Sequence, residues 1–251
     1  MPRRVAHVAS VTSLGIGLGR VDLVGEGLGD EVVAGRFAMI EAVGRPDAVL
    51  MRPYSYFLGA GDTVSFLIKD VGKGTHALLS ARAGDEVAIL GPLGSTFPPP
   101  TPTTWIVAGG VGAAPFGLLG SSARLKTLYG SRNEHETSFG RVLAEEGLDV
   151  QFATDDGSTG FAGTVTALLH HSLANGARRP DQLFACGPTP MLAEVARIAV
   201  AHEIACYVSL EARMGCGFGV CRGCAHLDAL GGWRCICEDG PVYDARLMFA
   251  A

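Results

Sequence analysis

Cys216-Gly-Phe-Gly-Val-Cys221-Arg-Gly-Cys224, close to the C-terminal end, sets three cysteines at C-x4-C-x2-C spacing in a glycine-rich stretch. This is the plant-type iron–sulfur spacing, and Cys235 or Cys237 is available as the fourth ligand. Two irons and two sulfides need four thiolates converging from a chain that curls around them. Gly215, Gly217, Gly219 and Gly223 let backbone N–H groups approach sulfur without side-chain obstruction. Structural zinc is the main competing reading, although zinc more often takes paired close cysteines or cysteine with histidine. Inert buried thiols account poorly for five cysteines crowded into so glycine-rich a loop.

Of seven cysteines, six lie at or beyond Cys206 and only Cys186 stands outside that stretch. An odd total with no convincing secretion signal argues against a disulfide framework. The N-terminal Met1–Arg20 resembles a signal peptide superficially, but His7, Ser10, Thr12, Ser13 and glycines break its apolar run, and it reads better as two β-strands. A reducing cytoplasm is the expected setting.

Upstream of the tail, from Thr104 to about Glu203, the rhythm alternates between strand and helix. Trp105–Ala108, Thr127–Tyr129, Val150–Ala153 and Gln182–Ala185 are apolar strand candidates. Thr164–His171 and Pro190–His202 are the clearest helices, and the alternation implies βαβ units around a parallel sheet. Further upstream, residues 4 to 97 read as short strands broken by glycine, among them Gly35–Glu41, Asp62–Lys69 and Asp85–Leu90. Such spacing predicts a small antiparallel barrel interrupted by one helix, Thr75–Arg82. Pro98–Thr103 is a rigid linker between the two. The expected organisation is therefore a β-barrel at 1–99, a parallel α/β domain at 104–204 and a small metal-binding tail at 205–251.

The 251 residues are 48% hydrophobic and 18% charged, enough to bury a real core. Twenty basic against twenty-five acidic residues leave a net charge of −5, which argues against a nucleic-acid binder. No apolar run reaches bilayer length, so no membrane partner is expected. Thirty-five glycines, about double the usual share, predict tight turns and close backbone approach to ligands.

Three further motifs fit nucleotide cofactors. Arg52-Pro53-Tyr54-Ser55 ends one strand, and Gly72-Lys73-Gly74-Thr75 opens a helix twenty residues later. Arg52 can pair with phosphate, Tyr54 can cover a flat ring, Ser55 can hydrogen-bond a ring nitrogen, and a glycine-flanked helix start offers free N–H donors. Each piece alone has an ordinary reading as a solvated strand face or a turn. Val107-Ala-Gly-Gly-Val-Gly-Ala-Ala-Pro115 is a glycine-rich strand-to-helix turn suited to a dinucleotide pyrophosphate, although it is not a full G-x-G-x-x-G. Cys186-Gly187-Pro188-Thr189-Pro190-Met191 repeats that context at the expected last strand of the domain, where a simple helix start is the plain alternative.

In this order, barrel, nucleotide domain and cysteine loop resemble the ferredoxin–NADP reductase superfamily. Within it the chain is similar to the electron-transfer subunits of heterodimeric, NAD-linked bacterial dihydroorotate dehydrogenases. Besides the motifs above, Gly91-Pro92-Leu93-Gly94 with Phe97, Ser209-Leu-Glu-Ala-Arg-Met-Gly-Cys216 and Cys237-Glu-Asp-Gly-Pro-Val-Tyr243 carry the likeness. The resemblance implies that Arg52, Pro53, Tyr54, Ser55, Leu67, Ile68, Lys69, Gly74 and Thr75 hold FAD. It places Gly109, Gly110, Val111, Gly112, Ala113, Cys186, Gly187, Pro188 and Met191 around NAD. Cys216, Cys221, Cys224 and Cys237 would bind a [2Fe–2S] cluster, with Cys235 a neighbour. The implied partner is an FMN-containing catalytic subunit that oxidises dihydroorotate in pyrimidine biosynthesis, in a heterotetramer of two plus two chains. No acid–base catalyst for that oxidation is expected in this chain. NAD is favoured over NADP on family grounds, although Ser131-Arg132-Asn133-Glu134 offers both a basic and an acidic residue. The alternatives are a reductase subunit of a sulfide dehydrogenase, an NADH-dependent ferredoxin–NADP oxidoreductase or a hydrogenase, and a non-enzymatic module stapled by zinc.

Overall fold

Glycine-broken runs of β-branched and aromatic residues in the first part of the chain form six antiparallel strands. They are β1 (Arg4–Gly15), β2 (Leu18–Val24), β3 (Phe37–Ala42), β4 (Arg52–Ala60), β5 (Thr63–Lys69) and β6 (Glu86–Leu93). The strands close in the order β1-β2-β5-β4-β3-β6, so no edge is left unpaired. Val21, Leu23, Ile40, Tyr56, Phe66 and Ile89 fill the interior, and α1 (Lys73–Leu79) adds Ala77 and Leu78 to it. The computed structural model describes residues 3–45, 50–120, 125–175 and 178–250. Gly91–Leu93 continues β6, and the chain turns at Gly94, whose φ is +79°.

The βαβ rhythm beyond Thr104 builds a parallel sheet from β7 (Trp105–Gly109), β8 (Lys126–Ser131), β9 (Asp149–Thr154), β10 (Phe161–Ala162), β11 (Gln182–Cys186) and β12 (Ala205–Ser209). The helices α2 (Ser138–Glu145), α3 (Val165–Asn175) and α4 (Thr189–Ala201) cover it. Strand order is β10-β9-β8-β7-β11-β12, so the chain leaves β7 toward β8 and later returns to its other side as β11. The crevice at that reversal, outside the carboxyl ends of β7 and β11, is where such sheets bind ligands.

The segment after β7 is a 3-10 helix, Gly110–Leu119, which contains Pro115 and packs between Phe57 of the barrel and Cys186 of the sheet. Two expectations are corrected here. β11 is not the last strand of the sheet, because β12 pairs with it in parallel. Residues 205–209 therefore belong to the sheet rather than to the tail. The short apolar run Ala205–Ser209 lacks the turn signals that would have separated it from the cysteine segment.

The tail contains a hairpin, β13 (Ala225–Leu227) with β14 (Trp233–Cys235), and then returns to the sheet. There β15 (Val242–Asp244) pairs antiparallel with β12, and α5 (Ala245–Met248) follows. Ser95 ties this return to the barrel exit: its hydroxyl donates to the Val242 carbonyl and accepts the Val242 N–H, each at 3.0 Å. Phe97, just before the prolines, stacks on Phe184 at 4.8 Å between ring centroids. The connection from barrel to sheet is thus held at both faces.

Candidate functional site

Two adjoining cavities open between the barrel and the carboxyl edge of the sheet. The inner one, about 280 Å³, is walled on the barrel side by Pro53, Tyr54, Ser55, Leu67, Ile68 and Thr75. The outer cleft, about 570 Å³, is walled by Gly109, Gly110, Gly187, Pro188 and Met191 at the ends of β7 and β11. Lys69, Val111 and Glu211 line both. Most of the residues expected at the two nucleotide sites therefore converge, although they come from separate strands.

Not all of them face a cavity. Arg52 is exposed at the start of β4, and its guanidinium is held to the Leu50 and Met51 carbonyls at 3.3 and 3.2 Å. Gly74 lies beside it: a Cβ there would stand 3.3 Å from Arg52 Cγ and 4.0 Å from Tyr54 Oη. Gly112 and Ala113 lie behind the cleft wall. A side chain on Gly112 would collide with the Cys186 carbonyl, so that glycine serves the close packing of helix on strand. Cys186 lines the inner cavity rather than the outer cleft.

The inner cavity is mostly apolar, whereas the outer cleft is lined by the charged side chains Lys69, Arg132, Glu136, Asp155, Glu194 and Glu211. The Tyr54 hydroxyl is buried without a hydrogen-bond partner among the described residues, and burial, opposed by Arg52, pushes it up to about 12. An orphaned donor in the wall of a mostly apolar cavity leaves a hydrogen bond for a bound ligand's polar edge to complete. Lys69 Nζ reaches Glu136 Oε2 at 3.1 Å, an ion pair that joins the barrel to the nucleotide side of the cleft. Glu211 is reached by solvent through the cleft yet has protein on most sides, and that crowding raises its carboxyl above the ordinary range. Burial raises the Cys186 thiol as well, and the nearby Glu211 adds to the effect.

The sequence reading assigned no role to Ser209, Leu210, Glu211, Ala212 or Met214, yet they line the inner cavity. The signal was present in the segment leading to Cys216, but nothing in its composition says which way it faces.

From Met214 the chain runs directly into the cysteine loop. Gly217 and Gly219 have φ of +86° and +84°, and Arg222 has +56°, so the loop curls tightly. A Cβ on Gly217 would strike Met39 and Leu93, because the loop rests on the barrel wall. The sulfurs of Cys224 and Cys237 are 3.2 Å apart. Backbone N–H groups donate to four sulfurs: Gly219 to Cys237 at 3.1 Å, Cys221 to Cys216 and Gly223 to Cys221 at 3.4 Å, and Cys237 to Cys224 at 3.5 Å. Burial opposes ionisation of Cys216, but N–H donors from Cys221, Phe218 and Val220 outweigh it and bring the thiol down to about 7. Cys237 is pushed up to about 12 by burial and by its neighbour Cys224. Cys235 is buried beside them, and none of these N–H bonds reaches its sulfur. Among the described residues no three Cys, His, Asp or Glu side chains converge on a single ion position. Four thiols spread along a curled loop, each with an N–H donor, suit a two-iron cluster.

The iron–sulfur cluster binding domain of dihydroorotate dehydrogenase B matches residues 211–248. The chain is 34% identical over 224 residues to the dihydroorotate dehydrogenase B (NAD(+)) electron transfer subunit of Desulforamulus reducens, covering 84% of each chain. It is 34% identical over 241 residues to the subunit of that name from Enterococcus faecalis, covering 90% of each. Among solved structures, an NADH-dependent reduced ferredoxin–NADP oxidoreductase superposes with a TM-score of 0.82 at 22% identity, covering 97% of this chain and 89% of that one. The ferredoxin reductase of carbazole 1,9a-dioxygenase gives a TM-score of 0.66 at 23% identity, covering 81% of this chain and 66% of that one. These two likenesses establish the shared fold.

Proposed function

The chain belongs to the family of dihydroorotate dehydrogenase B (NAD(+)) electron transfer subunits, and we propose that it carries electrons between a dihydroorotate-oxidising partner and NAD(+). The observation that carries this reading is one shared wall. The segment Ser209–Met214 lines the inner cavity, contributes Glu211 to the outer cleft and leads straight into the first cysteine of the loop. Three cofactor sites thus meet along one stretch of backbone.

In this reading FAD occupies the inner cavity, NAD the outer cleft and a [2Fe–2S] cluster the loop. FAD held there would supply both hydride exchange with a nicotinamide and single-electron exchange with a cluster, which is why its site belongs between the other two. Tyr54 covers the ring system and offers its free hydroxyl, Ser55 and Thr75 supply polar contacts, and Arg52 stands beside Gly74 for the phosphates. Gly110, where a side chain would meet nothing, leaves the carboxyl end of β7 open for the dinucleotide, and Gly109 and Gly187 let Met191 pack closely against the cleft wall. Cys216, Cys221, Cys224 and Cys237 ligate the cluster, and the N–H bonds to their sulfurs compensate its negative charge. Lys69 balances Glu136 and the dinucleotide phosphates at the boundary of the two cavities.

The partner is an FMN-containing catalytic subunit, assembled with this chain as two plus two in the cytoplasm. The tail exposes Phe218, Val220, Leu230 and Trp233 around the cysteine loop, a concentration of apolar surface suited to docking that subunit within electron-transfer range. Among the described residues no helix is long and apolar enough to cross a membrane.

The test is the visible spectrum of anaerobically purified protein before and after NADH. A flavin band over a broad iron–sulfur absorbance, both bleached by NADH, is the expected result. A colourless protein containing zinc, still colourless after reconstitution with FAD, iron and sulfide, overturns the reading.

A further inference from the structure

Lys69 and Glu136 belong to different parts of the fold and meet in the wall of the outer cleft. Lys69 ends β5 of the barrel, where its backbone pairs with Leu18. Glu136 closes a short 3-10 turn, Glu134–Glu136, between β8 and α2. That turn is pinned. The Glu136 carbonyl accepts the hydroxyl of the buried Tyr129 at 2.9 Å, and the Glu136 N–H donates to the Asn133 carbonyl at 3.1 Å. Lys69 Nζ stands 3.1 Å from Glu136 Oε2, and the two side chains are 32% and 26% exposed on the cleft wall.

The charge around this pair is unfavourable for an anion. Among the described residues that line the cleft, Lys69 and Arg132 are the basic ones, against the acidic Glu136, Asp155, Glu194 and Glu211. Glu194 is engaged by Arg197 at 2.6 Å, whereas Lys69 is engaged within the cleft by Glu136. Of the two cations, Lys69 also lines the inner cavity, a boundary it shares with Val111, which follows Gly109 and Gly110. A dinucleotide lying along the cleft, nicotinamide toward the inner cavity, brings its phosphates to the stretch walled by that glycine turn and by Lys69. An ammonium donates equally well to a carboxylate or a phosphate oxygen, and its flexible stem lets it swing from one to the other.

We propose that Glu136 is a positioning residue that competes with the pyrophosphate of the dinucleotide for Lys69. It holds the ammonium at the cleft wall while the site is empty and gives it up on binding, so that the dinucleotide binds more weakly and leaves faster. The inference rests on the assignment of the outer cleft to NAD given above. One ion pair is exchanged for another, and loss of the first offsets part of the gain from the second. The partial exposure of both groups bounds the effect, because water screens such pairs.

In the fully oxidised complex with its catalytic subunit, NAD(+) finds no electrons to accept, and calorimetry measures its dissociation constant without turnover. Glu136→Gln should lower that constant by about two- to fivefold, the range that an ion pair of this exposure allows. Lys69→Met should raise it, and adding Glu136→Gln to Lys69→Met should change it no further, because the carboxylate acts through the ammonium. Equal tightening by Glu136→Gln with and without Lys69 overturns the competition in favour of general repulsion. An unchanged or raised constant in Glu136→Gln overturns it as well. Should Lys69→Met bind too weakly to measure, Glu136→Asp decides. Its shorter side chain draws the carboxylate back from Lys69 but keeps the charge in the cleft, so competition requires tighter binding and an unmoved constant overturns it. A wild-type complex that holds FAD yet binds no NAD(+) overturns the assignment of the cleft, and the inference with it.

Discussion

Cys235 and Cys237 are two positions apart and both buried, yet they occupy different chemical surroundings. Cys237 accepts the Gly219 N–H and touches Cys224, whereas the backbone of Cys235 is bound to Asp239 and its thiol receives none of the loop's N–H bonds. Cys237→Ser should therefore lose most of the bound iron and the cluster absorbance, while Cys235→Ser should keep both; iron analysis of the two purified variants checks this. The cysteine spacing alone left these two candidates equal, because cluster ligation depends on where each sulfur points. Glu211 supports a second prediction at this scale. Its carboxyl is raised by burial, so it stays protonated to higher pH than an ordinary glutamate. Deprotonation then places a negative charge in the cleft that takes an anionic dinucleotide. NADH affinity should fall as pH rises through that raised value, and Glu211→Gln should flatten the dependence. A variant whose NADH Kd follows pH as steeply as the wild type would contradict the assignment.

At the 3-10 helix Gly110–Leu119, the glycine-rich turn after an apolar strand was legible, since it needs only local backbone freedom. Its packing was not, because Phe57 of the barrel lies against Gly117 and the Cys186 carbonyl against Gly112, contacts between segments far apart in the chain. Gly112→Ala should overpack this contact by about 1–3 kcal/mol. At roughly 2–4 °C per kcal/mol for a chain of this size, thermal unfolding should register a clear drop in Tm. An unchanged Tm would show that the helix can move off the strand without cost. The hairpin β13–β14 was not expected at all. Its strands are three residues each, and Asp228 organises the turn by accepting the Leu230 and Gly232 N–H groups at 3.0 and 2.7 Å.

For the whole molecule, the barrel, the sheet and the tail are interlocked rather than strung in series. The cysteine loop rests on Met39 and Leu93, Ser95 holds Val242, and β15 completes the edge of the sheet. The inner cavity exists only because these pieces enclose it. On the outer side, Trp233 is 70% exposed and Leu230 83%, which is unusual for residues of their size. Trp233→Asp should weaken assembly with the catalytic subunit at least tenfold while leaving the unfolding of the isolated chain within about 0.5 kcal/mol. Titration calorimetry or size-exclusion chromatography with the partner measures the first, and thermal unfolding the second. Unimpaired assembly would move the docking face elsewhere on the molecule.

What the sequence determined by itself is what short-range pattern encodes. Alternating strands with glycine breaks specify a barrel, strand–helix rhythm specifies a parallel sheet, and C-x4-C-x2-C specifies a metal-binding loop, because each depends on residues within a few positions of one another. The tertiary structure decided which distant segments share a wall. It added β12 and β15 to the sheet, brought Glu211 to the boundary of two cavities and gave Cys237 and Cys235 different surroundings. Those outcomes depend on packing between residues far apart in the chain, and burial and electrostatics are properties of that packing rather than of local sequence.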